Sequence, residues 1–336
     1  MENSTHFCWV KTSVLGLFLL AILLLGECLF GSANMGVMDA WNALLGKGSP
    51  AHQMVVWDAR LPRGLVALFA GGSLALAGLL MQTMFRNPLA GPSILGVSSG
   101  ASLGTALVVL SASSIPANIR GIGMISLGAW IGSSMILLII LLLSRRLRDP
   151  STFILVGMMI SFLTGAVVDA LQFKASNESV RTYLNWGMGN FATTTFMHAS
   201  ILGIGLILAM LLAWKKYKTW NRLLLGQEYA QSMGVSIPRA HAWLVILSGG
   251  LTALVTAYCG PIGFIGLAIP HLVRSFFQSA NHQKTIFPTI IWGGVAALFC
   301  DILAHQMNLP LNTMTSILGA PIVLVFLLRQ PKGLIL

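Results

Sequence analysis

The sequence predicts an all-α polytopic membrane protein with about ten transmembrane helices. Three observations predict it. Charge is scarce: 9% of the 336 residues are Asp, Glu, Lys or Arg, against about 25% in a soluble domain. Hydrophobic residues make up 56% of the chain, and they fall in runs close to the ~20 residues that cross a bilayer. The 35 glycines suit close helix packing in lipid, where small residues let backbones approach.

In chain order the runs predict spans at 12–31, 62–84, 94–112, 122–143, 152–172, 196–214, 241–259, 263–279, 287–305 and 313–328. Lys11 before Val14–Leu25 resembles the start of a signal sequence. However, Gly26-Glu27-Cys28 is a poor cleavage site and many spans follow, so this stretch reads as an uncleaved first helix. Pro270, His271 and Arg274 interrupt the eighth span. The whole of residues 1–336 reads as one transmembrane domain, with 215–240 as a polar loop within it.

The net charge of +11 sits in short loops between apolar runs, where it signals topology and not nucleic-acid binding. If the first segment lies inside and the spans alternate, 14 of the 20 basic residues fall on the inner side. They include Arg145, Arg146, Arg148, Lys332 and the cluster Lys215, Lys216, Lys218 and Arg222. Six fall outside: Lys47, Arg60, Arg63, Arg120, Lys174 and Arg181. The bias predicts both termini in the cytoplasm and places the 215–240 loop there too.

Several chemistries are absent from the sequence. The four cysteines are scattered and form no CxxC, so neither a metal site nor a disulfide framework is indicated. No GxxxxGK[ST], HExxH or paired catalytic carboxylates appear, so the chain is expected to hold no nucleotide, metal or cofactor and to catalyse no reaction of its own. Sixteen methionines read as apolar gap-filling.

Leu223–His241, reading LLLGQEYAQSMGVSIPRAH, finds no hydrogen-bond partners in a bilayer core. It is therefore expected in water as a loop with short helices. Gly226 and Gly234 can end those helices, and Gln227 and Glu228 offer polar contacts. Residues 86–96, RNPLAGPSILG, hold two prolines and two glycines between apolar spans. They form either a tight turn or a broken backbone buried at membrane depth. Asp169 and Asp301 are the ionisable groups deepest in predicted helices, which admits a second reading as a proton-coupled secondary transporter. Glu27 reads as interfacial. A short echo, GGSLALA from Gly71 and GGLTALV from Gly249, falls on spans of opposite direction, as in inverted-repeat transporters.

RLPR at 60–63 and MQTMFRNPLAGPSILGVSSGAS at 81–102 resemble the FecCD-type permeases of binding-protein-dependent ABC importers. Asn185–Asn190, Leu225–Val235, GPIGFIGL from Gly260, PHLVR from Pro270, Asp301 and LGAP from Leu318 follow in the same order. The resemblance runs from about residue 55 to the C-terminus. It implies an inverted-repeat type II importer permease of ten helices in the bacterial cytoplasmic (inner) membrane, paired with a second copy of itself. Two ATPase subunits, carrying ATP and Mg, bind inside, and a solute-binding protein docks outside. The cargo is an iron siderophore, haem or cobalamin.

The resemblance also assigns residues. Leu225, Gly226, Gln227, Glu228, Tyr229, Ala230, Met233 and Gly234 form the coupling segment. Pro270, His271 and Arg274 lie near the ATPase. Arg60 and Arg63 meet acidic groups of the binding protein. Asn87, Pro88, Gly96, Asp301 and Pro321 are structural. Phe173, Met188, Asn190, Met307 and Asn312 are candidates to touch cargo. Leu311-Asn312 departs from the family pattern, in which a small residue and glycine follow the proline.

Overall fold

A computed structural model describes residues 2–30, 35–111, 122–144 and 150–329. Of the charges counted above, Arg120, Arg145, Arg146, Arg148 and Lys332 lie outside the described residues. Every regular element among the described residues is helical. They are α1 (Glu2–Leu29), α2 (Val37–Leu44), α3 (Pro50–Met54), α4 (Leu61–Phe85), α5 (Val97–Leu110), α6 (Ile122–Leu143), α7 (Pro150–Lys174), α8 (Asn177–Gly187), α9 (Phe196–Lys215), α10 (Tyr217–Leu224), α11 (Gln227–Ser232), α12 (Ile237–Cys259), α13 (Ile265–Phe277), α14 (His282–Gln306) and α15 (Leu311–Arg329).

Seven of these helical stretches are long and apolar enough to cross a membrane. The shorter apolar helices Val97–Leu110, Ile265–Phe277 and Leu311–Val325 fall where the third, eighth and tenth spans were predicted. Each predicted span therefore has its helix. The boundaries moved most at the second span, where a continuous helical rod runs from Pro50 to Phe85. Ser49 starts this rod, its Oγ accepting from the His52 amide at 3.3 Å, and a π-helical turn at Val55–Arg60 joins α3 to α4. Helices α2 and α8 occupy connections that the apolar pattern left unassigned, because both are too short to register as spans.

The helices group into two compact units. One comprises Met1–Leu76, Asn190–Lys215 and Gly263–Gly333, and the other chiefly Ala77–Gly189 and Lys216–Ile262. In the first, α14 packs against α1, α9, α13 and α15. In the second, α5 packs against α6, α7, α8 and α12.

Glycine sets the closest contact of the second unit. Gly100 and Gly104 of α5 face Gly128 and Gly132 of α6, and a Cβ at any of the four would run into the facing helix. This is GxxxG packing used from both sides, driven by backbone proximity because lipid offers no hydrophobic gain. The echoed glycines behave less alike. Gly71 lies on the Gly293 backbone and Gly249 on Leu137, but Gly72 is enclosed by Ile290 and Leu206 while Gly250 is open.

Candidate functional site

The polar stretch forms two short helices and a return. Trp220 and Leu223 bury one face of α10. Gly226 then turns the chain at φ +116° and Gly234 at φ +81°, conformations open to glycine but costly to other residues. Between them Ala230 is fully buried, its amide donating to the Gly226 carbonyl at 2.9 Å, and the Val235 amide donates to the Ala230 carbonyl at 2.9 Å. Arg222 Nη1 donates to the Met233 carbonyl at 3.4 Å. These bonds fix α11 with Leu225, Tyr229 and Met233 pointing outward at 58%, 65% and 44% exposure. Leu225 before the Gly226 turn, Tyr229 within α11 and Met233 at its C-terminal cap are the exposed large side chains of this segment. Glu228 is exposed beside them and Gln227 is half-buried.

Within the same unit the 86–96 segment lies next to this turn. A Cβ on Gly226 would sit 3.6 Å from Arg86 Nη1. Asn87 Oδ1 accepts from the Leu89 amide at 2.9 Å, making a side-chain turn ahead of which Pro88 is half-buried. Ala90, Pro92 and Leu95 are buried, and Gly96 at φ +72° starts α5 while lying 3.0 Å, at its would-be Cβ, from the Gly157 carbonyl of α7. The segment turns with Arg86, Asn87 and Leu89 exposed, and most of Ala90–Gly96 is enclosed by protein.

In α13, Pro270 is internal and buried, His271 is half-buried, and Arg274 is 8% exposed. The three guanidinium nitrogens of Arg274 have no hydrogen-bond partner among the described residues. Pro321 is exposed inside α15.

Arg60 and Arg63 are three apart on the Pro50–Phe85 rod, and both guanidiniums are engaged inside the chain. Arg60, 6% exposed, donates through Nη1 to the carbonyls of Cys28 at 3.0 Å and Leu29 at 3.1 Å. It thereby caps the carbonyl end of α1. Arg63 grips Asp301 with both prongs, Nε to Oδ2 at 2.7 Å and Nη2 to Oδ1 at 2.8 Å. Glu27 Oε1 lies 3.2 Å from the same Nε, and His305 Nδ1 is 3.2 Å from Nη1. The cluster ties α1, α4 and α14 together. It leaves Asp301 no free carboxylate for a relay, while Asp169 is exposed on α7.

Sequence reasoning missed this partnership. It treated Glu27 as interfacial and Arg63 as outward-facing, because 238 positions separate Arg63 from Asp301. The available signal was that two carboxylates predicted in or beside helices each required a cation.

Phe173 is 91% exposed at the end of α7, and Met188 is exposed at the end of α8. Asn190 is exposed and its Oδ1 accepts from the Ala192 amide at 2.7 Å. Met307 is exposed after α14. Asn312 is half-buried, and its Oδ1 accepts from the Gly263 amide at 3.0 Å, pinning the segment that leads into α13. In the second unit, the Gly260 turn at φ +73° rests against the Trp186 carbonyl, and Gly189 lies beside the Pro261 carbonyl. Two separated motifs, Asn185–Asn190 and GPIGFIGL, thus meet there through their backbones. The Tyr183 ring is tilted against that of Trp186 with centroids 6.2 Å apart, and burial pushes its phenol up, with Asp169 adding to the shift.

Comparison with known proteins agrees with this architecture. The chain is 34% identical to the hemin transport system permease protein HmuU of Yersinia pestis over 94% of both chains. It is 32% identical to the Fe(3+) dicitrate transport system permease protein FecD of Escherichia coli, over 94% of this chain and 99% of that one. Its fold matches a solved inward-facing metal-chelate type ABC transporter with a TM-score of 0.83 at 28% identity, covering 95% of this chain and 99% of the other. The model of the FecCD transport family matches residues 18–329, and the chain belongs to that family.

Proposed function

We propose that the chain is the permease subunit of a binding-protein-dependent ABC importer. It lies in the cytoplasmic membrane with both termini inside and pairs with a second copy of itself. Two ATP-binding subunits, which hold ATP and Mg, engage α11. The observation that carries this reading is the exposure of Leu225, Tyr229 and Met233 on and beside α11. A six-residue helix that buries only Ala230, with Tyr229 exposed on it and Leu225 and Met233 exposed at its two ends, gains little from folding alone. It gains by docking into a groove of another protein.

The cargo is an iron chelate, either a siderophore or haem, with cobalamin the alternative. The hemin and ferric dicitrate relatives support iron. Phe173, Met188, Asn190, Met307 and Asn312 border its path. Arg60 and Arg63 serve the docking of the solute-binding protein indirectly, by fixing the ends of α1, α4 and α14 beneath its surface.

The test uses the permease and its ATPase co-expressed. Tyr229→Ala with Met233→Ala should lower copurification of the ATPase by tenfold or more, while the permease keeps its thermal stability. Transport that persisted without the ATPase and collapsed with the proton gradient would overturn the reading in favour of a secondary transporter.

A further inference from the structure

We infer that the α10–α12 corner is a binding site for an anionic phospholipid, with Lys216 and Arg239 on the phosphate and the outer stripe of α12 against an acyl chain. Three observations within one unit carry this.

The first is the exposed face of α12. Arg239 is exposed, Trp243 half-buried, Ile246 exposed, and Gly250 and Leu254 half-buried, whereas most of the rest of the helix is buried. These positions recur at three- and four-residue intervals and so form one stripe. The stripe is apolar from Trp243 onward and belongs to a helix that crosses the membrane. Gly250 leaves a shallow place in it, since nothing lies within 4 Å of its would-be Cβ.

The second is the cation arrangement at the polar end of the stripe. Lys216 Nζ sits 4.8 Å from the centroid of the Trp243 ring. Arg239 lies one turn from Trp243 on the same face. An indole at the end of a span belongs at the headgroup level, so both cations stand where lipid phosphates lie.

The third is charge. Between Glu178 and Asp301 the sequence holds one acidic residue, Glu228. Among the described residues neither Lys216 nor Arg239 has an ion pair, and Lys218 and Arg222 are exposed on the adjoining α10. Among the described residues the corner therefore has positive charge with no carboxylate paired to it. A phosphodiester answers that charge, and its acyl chain covers the stripe. A zwitterionic lipid answers it poorly, because its own ammonium group faces the same cations.

The test is native mass spectrometry of the full-length chain, delipidated and then exposed to phosphatidylglycerol or phosphatidylcholine with matched acyl chains. The wild type should retain phosphatidylglycerol about tenfold better. Lys216→Gln with Arg239→Gln should lower that retention roughly thirtyfold, the loss expected for two cations at a lipid surface. Lys174→Gln with Arg181→Gln, an equal charge loss elsewhere, should leave it unchanged. If the first pair impairs folding, Lys216→Gln alone is read in the same way and should lose about fivefold. Glycerol 3-phosphate at millimolar concentration should not displace the lipid. Equal retention of the two lipids, equal loss in both double variants, full displacement by glycerol 3-phosphate, or loss of the lipid when two copies pair would each overturn the inference.

Discussion

Asp301→Asn tests the buried cluster most directly. The substitution keeps the side chain's size but turns one oxygen into a donor and removes the charge. Both Asp301 oxygens receive Arg63 donors, at 2.7 and 2.8 Å, and Asp301 is 2% exposed. Removing one partner of a buried pair costs about 3–5 kcal/mol, because the other charge is left behind. Here Glu27 remains 3.2 Å from Arg63 Nε, so the guanidinium keeps one carboxylate and the loss should be about 2–3 kcal/mol. Glu27→Gln should cost less, about 1–2 kcal/mol, since the two-pronged grip on Asp301 survives. Replacing the pair together, Arg63→Met with Asp301→Leu, should recover only part of the loss, because buried Glu27 is then left without its cation. The assay is thermal unfolding of the purified chain in detergent, with the three variants measured side by side. Equal effects of Asp301→Asn and Glu27→Gln, or a loss below about 1 kcal/mol for the former, would refute the cluster's role. Arg63→Glu supplies a further check. If it left stability intact and weakened association with the binding protein, the guanidinium would face that partner and not Asp301.

Substitutions at three other positions follow from the geometry. Gly260→Ala should cost about 2 kcal/mol or more in the same assay, because φ +73° with ψ 178° is a glycine conformation and the added methyl would meet the Trp186 carbonyl. Asn312→Ala should cost about 1–3 kcal/mol by stranding the Gly263 amide, and Asn312→Asp, which keeps the acceptor, should recover most of it. Arg274→Met should leave the isolated chain as stable or more stable, since its buried guanidinium has no hydrogen-bond partner among the described residues. A clear loss of stability there would mean that the guanidinium is paired. Stability retained together with transport lost would mark Arg274 as kept for a step in the transport cycle.

The spans were legible because each is a long apolar run, a signal that survives without knowledge of any partner. The turns at Gly226 and Gly234 were legible for a related reason: glycine between polar segments is a local mark of a helix end. What was not legible depends on contacts between distant positions. Arg63 and Asp301 sit on helices that a one-dimensional pattern cannot bring together, so an outward role for Arg63 looked reasonable. Helix α8 escaped for another reason, since it has eleven residues, none buried, and Ser176 caps it by accepting from the Ser179 amide. A capping serine before Asn177 was the local clue.

A single element connects the two places where motifs meet in the second unit. Helix α12 has 23 residues and is therefore about 34 Å long. At one end the four residues Met233–Ser236 join it to α11, whose Ala230 carbonyl accepts from the Val235 amide. At the other end its last turn lies against the Trp186 carbonyl through Gly260. Midway, Ser248 Oγ donates to the Ala77 carbonyl of α4 at 3.0 Å, and Gly249 lies on Leu137 of α6. Helices transmit displacement along their axis better than loops do, because every backbone bond is internal and the packed flanks resist bending. On the proposed function, a push on Tyr229 that passes the Met233–Ser236 link would have a stiff route to the Asn185–Gly189 segment, with no loop between Ile237 and Cys259 to absorb it. The glycines at the two ends supply the joints: Gly234 enters the rod and Gly260 leaves it, both at positive φ. On this argument, Gly234→Ala should stiffen the entry joint and alter coupling, and Gly260→Ala should disturb the far segment. Assays of ATPase stimulation by the binding protein would separate the two, because only the second variant disturbs packing remote from the ATPase.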